Sequence, residues 1–200
     1  MFERQIMTHL RQWKGKSNHK PLVLRGARQV GKTTVIDAFG KEFDNYLYFN
    51  LDEDSDRALF ERNISLDDLI DSLFARLGMR KKEGSTLLFI DEIQSSPQTI
   101  SLLRYFKEKR PDIHVISAGS LLENVVDVKV SFPVGRVDYM ALRPCSFYEF
   151  LNALGKDNLR YFIDNPEQSI AVHDELMSLF NQYTIVGGMP DAVKTYIETK

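Results

Sequence analysis

The 200-residue sequence contains a single cysteine, Cys145, so no disulfide can form within the chain. This usage is typical of proteins kept in a reducing compartment. No apolar run approaches the ~20 residues that a membrane-spanning helix needs. Arg4, Arg11 and Trp13 interrupt the N-terminal region where the apolar core of a secretory signal would lie. We therefore expect a cytoplasmic protein without a membrane partner.

An excess of positive charge is also missing, because 26 Lys and Arg stand against 28 Asp and Glu and give a formal net charge of −2. The protein as a whole therefore has no positive field that would attract nucleic acid, although a local basic patch is compatible with this balance. Hydrophobic residues at 43% and charged residues at 27% are ordinary for a globular chain. The length suffices for one good core, or for one core and a small satellite.

The segment Gly26–Thr33, Gly-Ala-Arg-Gln-Val-Gly-Lys-Thr, matches the phosphate-binding pattern G-x-x-x-x-G-K-[ST], the Walker A motif. An apolar run at 21–25 precedes it and a helix-compatible segment at 34–39 follows, which is the strand–loop–helix context that the motif needs. Its glycines let the backbone turn N–H groups towards phosphate oxygens, and the helix N-terminus adds its positive dipole end. The expected nucleotide-binding residues are Gly26, Ala27, Arg28, Gln29, Val30, Gly31, Lys32, Thr33 and Thr34.

Two residues of this loop have distinct expected roles. Lys32 would reach the outer phosphates, and the Thr33 hydroxyl would hold a magnesium ion. Arg28 is a weaker candidate for a contact with phosphate or with a partner.

A second motif, Leu87-Leu-Phe-Ile-Asp-Glu92, is a buried strand that ends in two acids. The carboxyl end of such a strand opens onto the ligand side of a parallel sheet. Asp91 could bind Mg²⁺ alongside Thr33, and Glu92 could polarise the water that attacks the terminal phosphate. The alternative is an acidic strand end that only caps a neighbouring helix.

The Asp91–Glu92 pair also discriminates between classes of nucleotide-binding protein. A small-molecule kinase needs no base next to the metal-binding acid, so the pair favours water as the acceptor. The guanine-reading pattern Asn-Lys-x-Asp does not occur. Together these features favour ATP hydrolysis.

Apolar runs at 21–25, 46–51, 86–90, 113–117 and 137–142 alternate with helix-compatible segments. This alternation predicts an α/β P-loop NTPase fold, in which helices sandwich a parallel five-stranded sheet. An acidic loop is expected at 52–56. Residues 1–145 would form the ATPase core, and 146–200 a helical lid. The chain stops at Lys200 without a capping residue, so we expect the natural protein to continue into a C-terminal domain.

Three further residues are candidates near the phosphate site. Ser117 and Ser120 lie at the end of the fourth strand, where a hydroxyl could sense the γ-phosphate or contact the attacking water. Either serine could instead satisfy nearby backbone groups. Arg136 could act as a finger on the nucleotide of a neighbouring subunit, which would require a homo-oligomer. A structural ion pair is the alternative for Arg136.

Six segments occur along the chain in an order that is found in one known family. They are Gly26-Ala-Arg-Gln-Val-Gly-Lys-Thr-Thr34, Leu88-Phe-Ile-Asp-Glu-Ile-Gln94, Ala118-Gly-Ser-Leu-Leu122, Val134-Gly-Arg136, Arg143-Pro-Cys-Ser-Phe-Tyr-Glu-Phe150 and Gly187-Gly-Met-Pro190. In these segments the chain resembles the AAA-type ATPases of bacteria and archaea whose ATPase domain is followed by a C-terminal domain of unknown function. Cys145 stands where that family often has leucine. The resemblance implies ATP binding, hydrolysis, and a finger-like placement of Arg136, but no particular substrate.

The leading hypothesis is therefore a Mg²⁺-dependent ATPase that couples its nucleotide state to a helical lid and a C-terminal domain. The alternative from another class is a nucleotide-gated regulatory module that binds DNA or protein and turns over little ATP. A small-molecule kinase is disfavoured by the acidic pair.

Overall fold

The computed structural model describes residues 4–119, 133, 135–168 and 170–199. They form two compact units. The larger unit contains residues 8–28 and 32–142, and the smaller one contains the chain up to residue 7, residues 29–31 and the chain from residue 143. The residues between 119 and 135, apart from residue 133, lie outside this description, and so do residues 1–3, 169 and 200.

The larger unit is built on a sheet of five parallel strands in the order β2-β3-β4-β1-β5. The strand that leads into the phosphate loop, β1, lies between β4 and β5, and its last residue, Arg25, is opposite Gly119 and Ala141. The predicted parallel five-stranded fold is thus confirmed. The strands are β1 Leu22–Arg25, β2 Asn45–Asn50, β3 Thr86–Asp91, β4 Ile113–Gly119 and β5 Asp138–Ala141.

Helices pack around this sheet because both faces of its central strands are apolar. Every residue of β3 is buried, as a strand covered on both sides requires. Large side chains such as Phe49, Phe60 and Phe106 fill the main core. The helices assigned from Ile6 to Lys109 are α1 Ile6–Lys14, α2 Lys32–Gly40, α3 Asp54–Phe60, α4 Leu66–Arg76 and α5 Pro97–Lys109.

Serine caps set the starts of two of these helices. The Ser65 side chain accepts a hydrogen bond from the Asp68 N–H at the start of α4. Ser96 does the same for the Thr99 N–H at the start of α5, with Pro97 in the first turn. Each cap satisfies a backbone donor that a helix start leaves without an intrahelical partner.

One local prediction was wrong, because the expected acidic loop at 52–56 runs into helix α3. Asp54 and Asp56 lie in the first turn, where negative charge interacts favourably with the helix dipole. Leu59 and Phe60 at the end of the helix are buried in the main core. The acids therefore mark a helix start, and the burial of two apolar residues stabilises the short helix.

The smaller unit contains the helices that the sequence predicts after Ser146. Helix α6 begins with a complete capping box, in which Ser146 accepts from the Glu149 N–H and Glu149 accepts from the Ser146 N–H. Cys145 is buried with Phe150 and Val193, and burial raises the pKa of its thiol. Gly188 has no room for a side chain, since a Cβ there would lie 2.4 Å from the Cys145 carbonyl oxygen. The helices are α6 Phe147–Ala153, α7 Arg160–Asp164, α8 His173–Val186 and α9 Pro190–Thr199.

Among the residues that the structure describes, no helix combines the length and the apolar character needed to cross a bilayer.

A small aromatic cluster in the larger unit contains two stacked histidines. The rings of His19 and His114 are parallel with centroids 3.9 Å apart, and the Trp13 ring meets both of them edge-on. His114 Nε2 lies 3.3 Å from the carbonyl oxygen of Lys14, while its Nδ1 is buried without a hydrogen-bond partner among the described residues. Burial, together with the His19 and Lys14 charges, lowers the pKa of His114 to about 4.

This cluster predicts a loss of stability in mild acid. The unfolded chain takes up a proton on His114 near pH 6.5, whereas the folded chain does so only near pH 4. The unfolded state therefore binds more protons between these values, and this group should lower the free energy of unfolding by about 3 kcal/mol as the pH falls from 7 to 4. Urea denaturation at several pH values would measure the effect.

The matched variants are His114→Phe, which keeps an aromatic ring but cannot titrate, and His9→Gln at an exposed histidine. We expect the first to weaken the pH dependence and the second to leave it unchanged. An identical pH dependence in wild type and His114→Phe would contradict this assignment.

Candidate functional site

The phosphate loop has backbone geometry that few residue types adopt. Gln29 and Gly31 are both left-handed, with φ of 62° and 90°. Glycine takes this conformation without steric cost, whereas a side-chain-bearing residue such as Gln29 rarely does. Left-handed residues in a loop allow successive N–H groups to point into a common concavity, which is how such loops bind anions.

Lys32 begins helix α2 and its side chain is turned back over the start of the loop. Its Nζ donates to the carbonyl oxygens of Gly26 at 2.8 Å and Ala27 at 3.0 Å, and the residue is only 7% exposed. Burial lowers the pKa of Lys32, while the negative charges of Glu92 and Asp91 oppose that shift. The geometry places a weakly hydrated cation beside the backbone that would surround a phosphate.

Thr33 and Asp91 meet although they are 58 residues apart in the chain. The Thr33 hydroxyl donates to Asp91 Oδ2 at 2.7 Å, and the Glu92 N–H donates to Asp91 Oδ1 at 3.0 Å. Burial raises the pKa of Asp91, and these two hydrogen bonds counter the shift. The sequence predicted that both side chains serve one metal ion, and the structure brings them together.

This donor pair fits Mg²⁺. A hydroxyl and a carboxylate are hard oxygen ligands, and Mg²⁺ is usually held by one or two protein groups together with phosphates and water. Among the described residues, no group of three or more His, Cys, Asp or Glu side chains could hold a metal ion. Thr33 and Asp91 would therefore hold Mg²⁺ only together with a nucleotide.

Glu92 follows Asp91 with a left-handed backbone, at φ 49° and ψ 46°. Such a conformation costs a non-glycine residue about 1 kcal/mol, and it recurs at functional sites. The carboxylate is held by Gln94, whose Nε2 donates to Glu92 Oε2 at 2.5 Å. A 3₁₀ turn at Ile93–Ser95 brings Gln94 back towards Glu92.

Sequence reasoning missed Gln94 as a neighbour of Glu92. Its Oε1 is buried and has no hydrogen-bond partner among the described residues. Gln94 ends one of the segments that carry the family resemblance, but a 3₁₀ turn of three residues has no sequence pattern that would place its side chain beside Glu92.

One of the two candidate serines lies within the described residues. Ser117 lies in β4, is fully buried, and donates from Oγ to the Leu22 carbonyl oxygen at 3.4 Å. The Ser117 hydroxyl thus donates its hydrogen bond to a backbone group of the neighbouring strand. Ser120, the other predicted sensor, lies outside the described residues.

Arg136 precedes β5 and contacts another side chain of the larger unit. Its Nη1 lies 3.2 Å from Glu108 Oε1 on α5, and the Arg136 side chain is 51% exposed. Arg28 and Thr34, the remaining predicted loop residues, are both exposed. The structure thus groups Lys32, Thr33, Asp91 and Glu92, while Arg136 forms a surface ion pair.

Comparison with known proteins agrees with this architecture. A family model described as an AAA domain matches residues 18–151. The fold is similar to that of a Walker-type ATPase of Pyrococcus abyssi, with 17% identity and a TM-score of 0.57 over 99% of this chain and 67% of the other. It is also similar to Drosophila ORC bound to DNA, with 18% identity and a TM-score of 0.53 over 90% of this chain and 53% of the other. A search of the curated proteins found no match.

Proposed function

Because the chain belongs to the AAA domain family of P-loop nucleotide-binding proteins, we propose that it is a Mg²⁺-dependent ATPase. The observation that carries this proposal is the 2.7 Å contact between the Thr33 hydroxyl and the Asp91 carboxylate. It brings the end of the phosphate loop against the acidic end of β3, with Glu92 as the next residue. A loop that only bound phosphate would have no need of this second, acidic element.

Lys32 and the loop amides would bind the phosphates. The Lys32 ammonium would exchange the carbonyl oxygens of Gly26 and Ala27 for oxygens of the outer phosphates. The buried charge would therefore have hydrogen-bond acceptors both without and with nucleotide. Thr33 and Asp91 would hold Mg²⁺, which when bound neutralises charge on the phosphates.

Glu92 would accept a proton from the attacking water. The water oxygen forms a bond to the γ-phosphorus, the bond between that phosphorus and the bridging oxygen breaks, and ADP leaves. The water proton goes to the Glu92 carboxylate. The hydrogen bond from Gln94 to Glu92 Oε2 would fix the orientation of the carboxylate, so that the general base does not have to be ordered during the reaction.

Other parts of the proposal extend beyond this centre. The helical region from Ser146 would act as a lid that couples nucleotide state to a C-terminal domain. Arg136 would exchange Glu108 for the nucleotide of a second copy, acting as a finger that offsets transition-state charge. Ser117 or Ser120 would sense the γ-phosphate. The single cysteine supports a cytoplasmic location.

Steady-state phosphate release from ATP tests the proposal directly. We expect turnover with Mg²⁺ and loss of at least nine-tenths of it when EDTA removes the ion. The protein concentration is varied in the same assay, because a finger from a second copy would make the specific activity rise with concentration. For the same reason Arg136→Ala should lower the specific activity. The absence of any ATP hydrolysis above background would overturn the ATPase assignment.

The second candidate is a nucleotide-gated module that binds DNA or protein and hydrolyses little ATP. The observation behind it is that a solved structure of similar fold, that of Drosophila ORC, is bound to DNA. Adding duplex DNA to the same assay, and measuring DNA retention at low salt, separates the two. Nucleotide-dependent DNA retention with negligible turnover would favour the module.

A further inference from the structure

Arg4 is a buried arginine that contacts the middle of the phosphate loop. The residue is 7% exposed. Its three guanidinium nitrogens have three different acceptors, all in the smaller unit: Nε donates to Glu149 Oε1 at 2.9 Å, Nη1 to the Val30 carbonyl oxygen at 3.2 Å, and Nη2 to the Arg143 carbonyl oxygen at 2.7 Å. The planar guanidinium presents these donors in a fixed fork, which a lysine ammonium cannot reproduce.

Glu149 fixes Arg4 in this position. Its carboxylate is equally buried, so the charged pair is little screened by solvent. Glu149 Oε1 also accepts from the Gln5 N–H at 2.8 Å, and Oε2 accepts from the Ser146 N–H at 2.9 Å within the capping box of α6. Every oxygen of the acid is thereby occupied, and the arginine is anchored to the first turn of a helix.

The contact with Val30 determines the direction of a loop amide. The Val30 carbonyl and the Gly31 N–H belong to one planar trans peptide, in which the two groups point in opposite directions. A donor held on the carbonyl therefore fixes the direction of the N–H. This control matters at Gly31 because glycine, here at φ 90°, could otherwise adopt several backbone conformations. The hydrogen bond also polarises the peptide and makes its N–H a stronger donor.

We propose that Arg4 is a positioning residue of the phosphate loop, which holds the Val30–Gly31 peptide so that the Gly31 N–H points at phosphate. The inference rests on the proposed nucleotide site and goes beyond it by assigning a residue outside the motif. It also provides a route from the loop, through Arg4 and Glu149, to the start of α6.

Arg4→Lys is the sharpest variant, because it keeps the charge next to Glu149 and removes the fork. A fluorescent ATP analogue measures affinity, and we expect the Kd to rise about tenfold, the value of one hydrogen bond to a charged group. The maximal turnover at saturating ATP should change much less than the Kd. Arg11→Lys is the matched control, since Arg11 forms an exposed ion pair with Glu42, and it should bind the analogue like wild type.

A spectroscopic readout reports on the peptide itself. The sequence contains three Val–Gly peptide bonds, Val30–Gly31, Val134–Gly135 and Val186–Gly187. Carbonyl-¹³C valine and ¹⁵N glycine labelling therefore selects these three amides in an NMR spectrum. Arg4→Lys should shift the Gly31 signal and leave the other two in place. Thermal unfolding shows whether any loss of affinity merely follows a loss of stability.

The possible outcomes separate this inference from the function on which it rests. If wild type does not bind the analogue, the nucleotide site itself is refuted. If wild type binds, and folded Arg4→Lys has the same Kd and the same Gly31 signal, Arg4 does not position the loop. Should Arg4→Lys not fold, Glu149→Gln replaces it, because this change keeps Oε1 but removes the charge that anchors Arg4. A wild-type Kd in folded Glu149→Gln would then overturn the proposal.

Discussion

Replacing Lys32 by methionine should raise the Kd for ATP at least a hundredfold. The ammonium already donates two hydrogen bonds to loop carbonyls, and the proposed site transfers these donors to phosphate oxygens. Two hydrogen bonds to a charged ligand are worth about 3 kcal/mol, which corresponds to a factor of more than one hundred. Isothermal titration calorimetry with ATP and Mg²⁺ measures the change.

The stability of Lys32→Met, in contrast to its affinity for ATP, should change little. Methionine keeps the length of the side chain and fills similar space, while it removes a cation whose burial is unfavourable, as the lowered pKa of Lys32 indicates. The thermal midpoint without nucleotide should therefore stay near that of wild type. Lys41→Met, at an exposed lysine just after α2, is the control and should bind ATP normally. Tight ATP binding by Lys32→Met would remove Lys32 from the site.

Replacing Glu92 by glutamine should lower kcat by about 10²–10⁴-fold and leave the Kd for ATP nearly unchanged. Glutamine has the same shape and can still accept the hydrogen bond from Gln94, but its amide cannot take a proton from water. Single-turnover phosphate release, with ATP binding measured in parallel, separates the chemical step from affinity. The control is Glu83→Gln, which neutralises an exposed glutamate outside the site. Undiminished turnover in Glu92→Gln would show that another group accepts the proton.

Local sequence patterns predicted most of the architecture because the physics behind them is local. Four consecutive apolar residues before Asp91 suffice to identify a strand buried on both faces. Serines such as Ser65, Ser96 and Ser146 identify helix starts because each satisfies a backbone donor within three residues. The acidic segment at 52–56 was misread because the burial of Leu59 and Phe60, which stabilises α3, depends on the assembled core.

The site was predictable where residue type and fold act together. Thr33 and Asp91 could be paired because parallel strands present their carboxyl ends at one edge of the sheet. Arg4 could not be assigned to the loop, because the contact with Val30 spans 26 residues and depends on the placement of Glu149, which is 145 residues from Arg4 in the chain. Nothing in the sequence around a single N-terminal arginine indicates that it contacts the phosphate loop.

The division of the chain into compact units also bears on how the protein can be dissected. Residues 29–31 belong with the chain from residue 143, while the rest of the phosphate loop belongs to the larger unit. A fragment that ends at residue 142 would keep every letter of the Walker A motif and yet lack the carboxylate that anchors Arg4. If Arg4 positions the loop as proposed, such a fragment should contain the motif without the shaped loop, whereas a chain that extends through Glu149 should contain both.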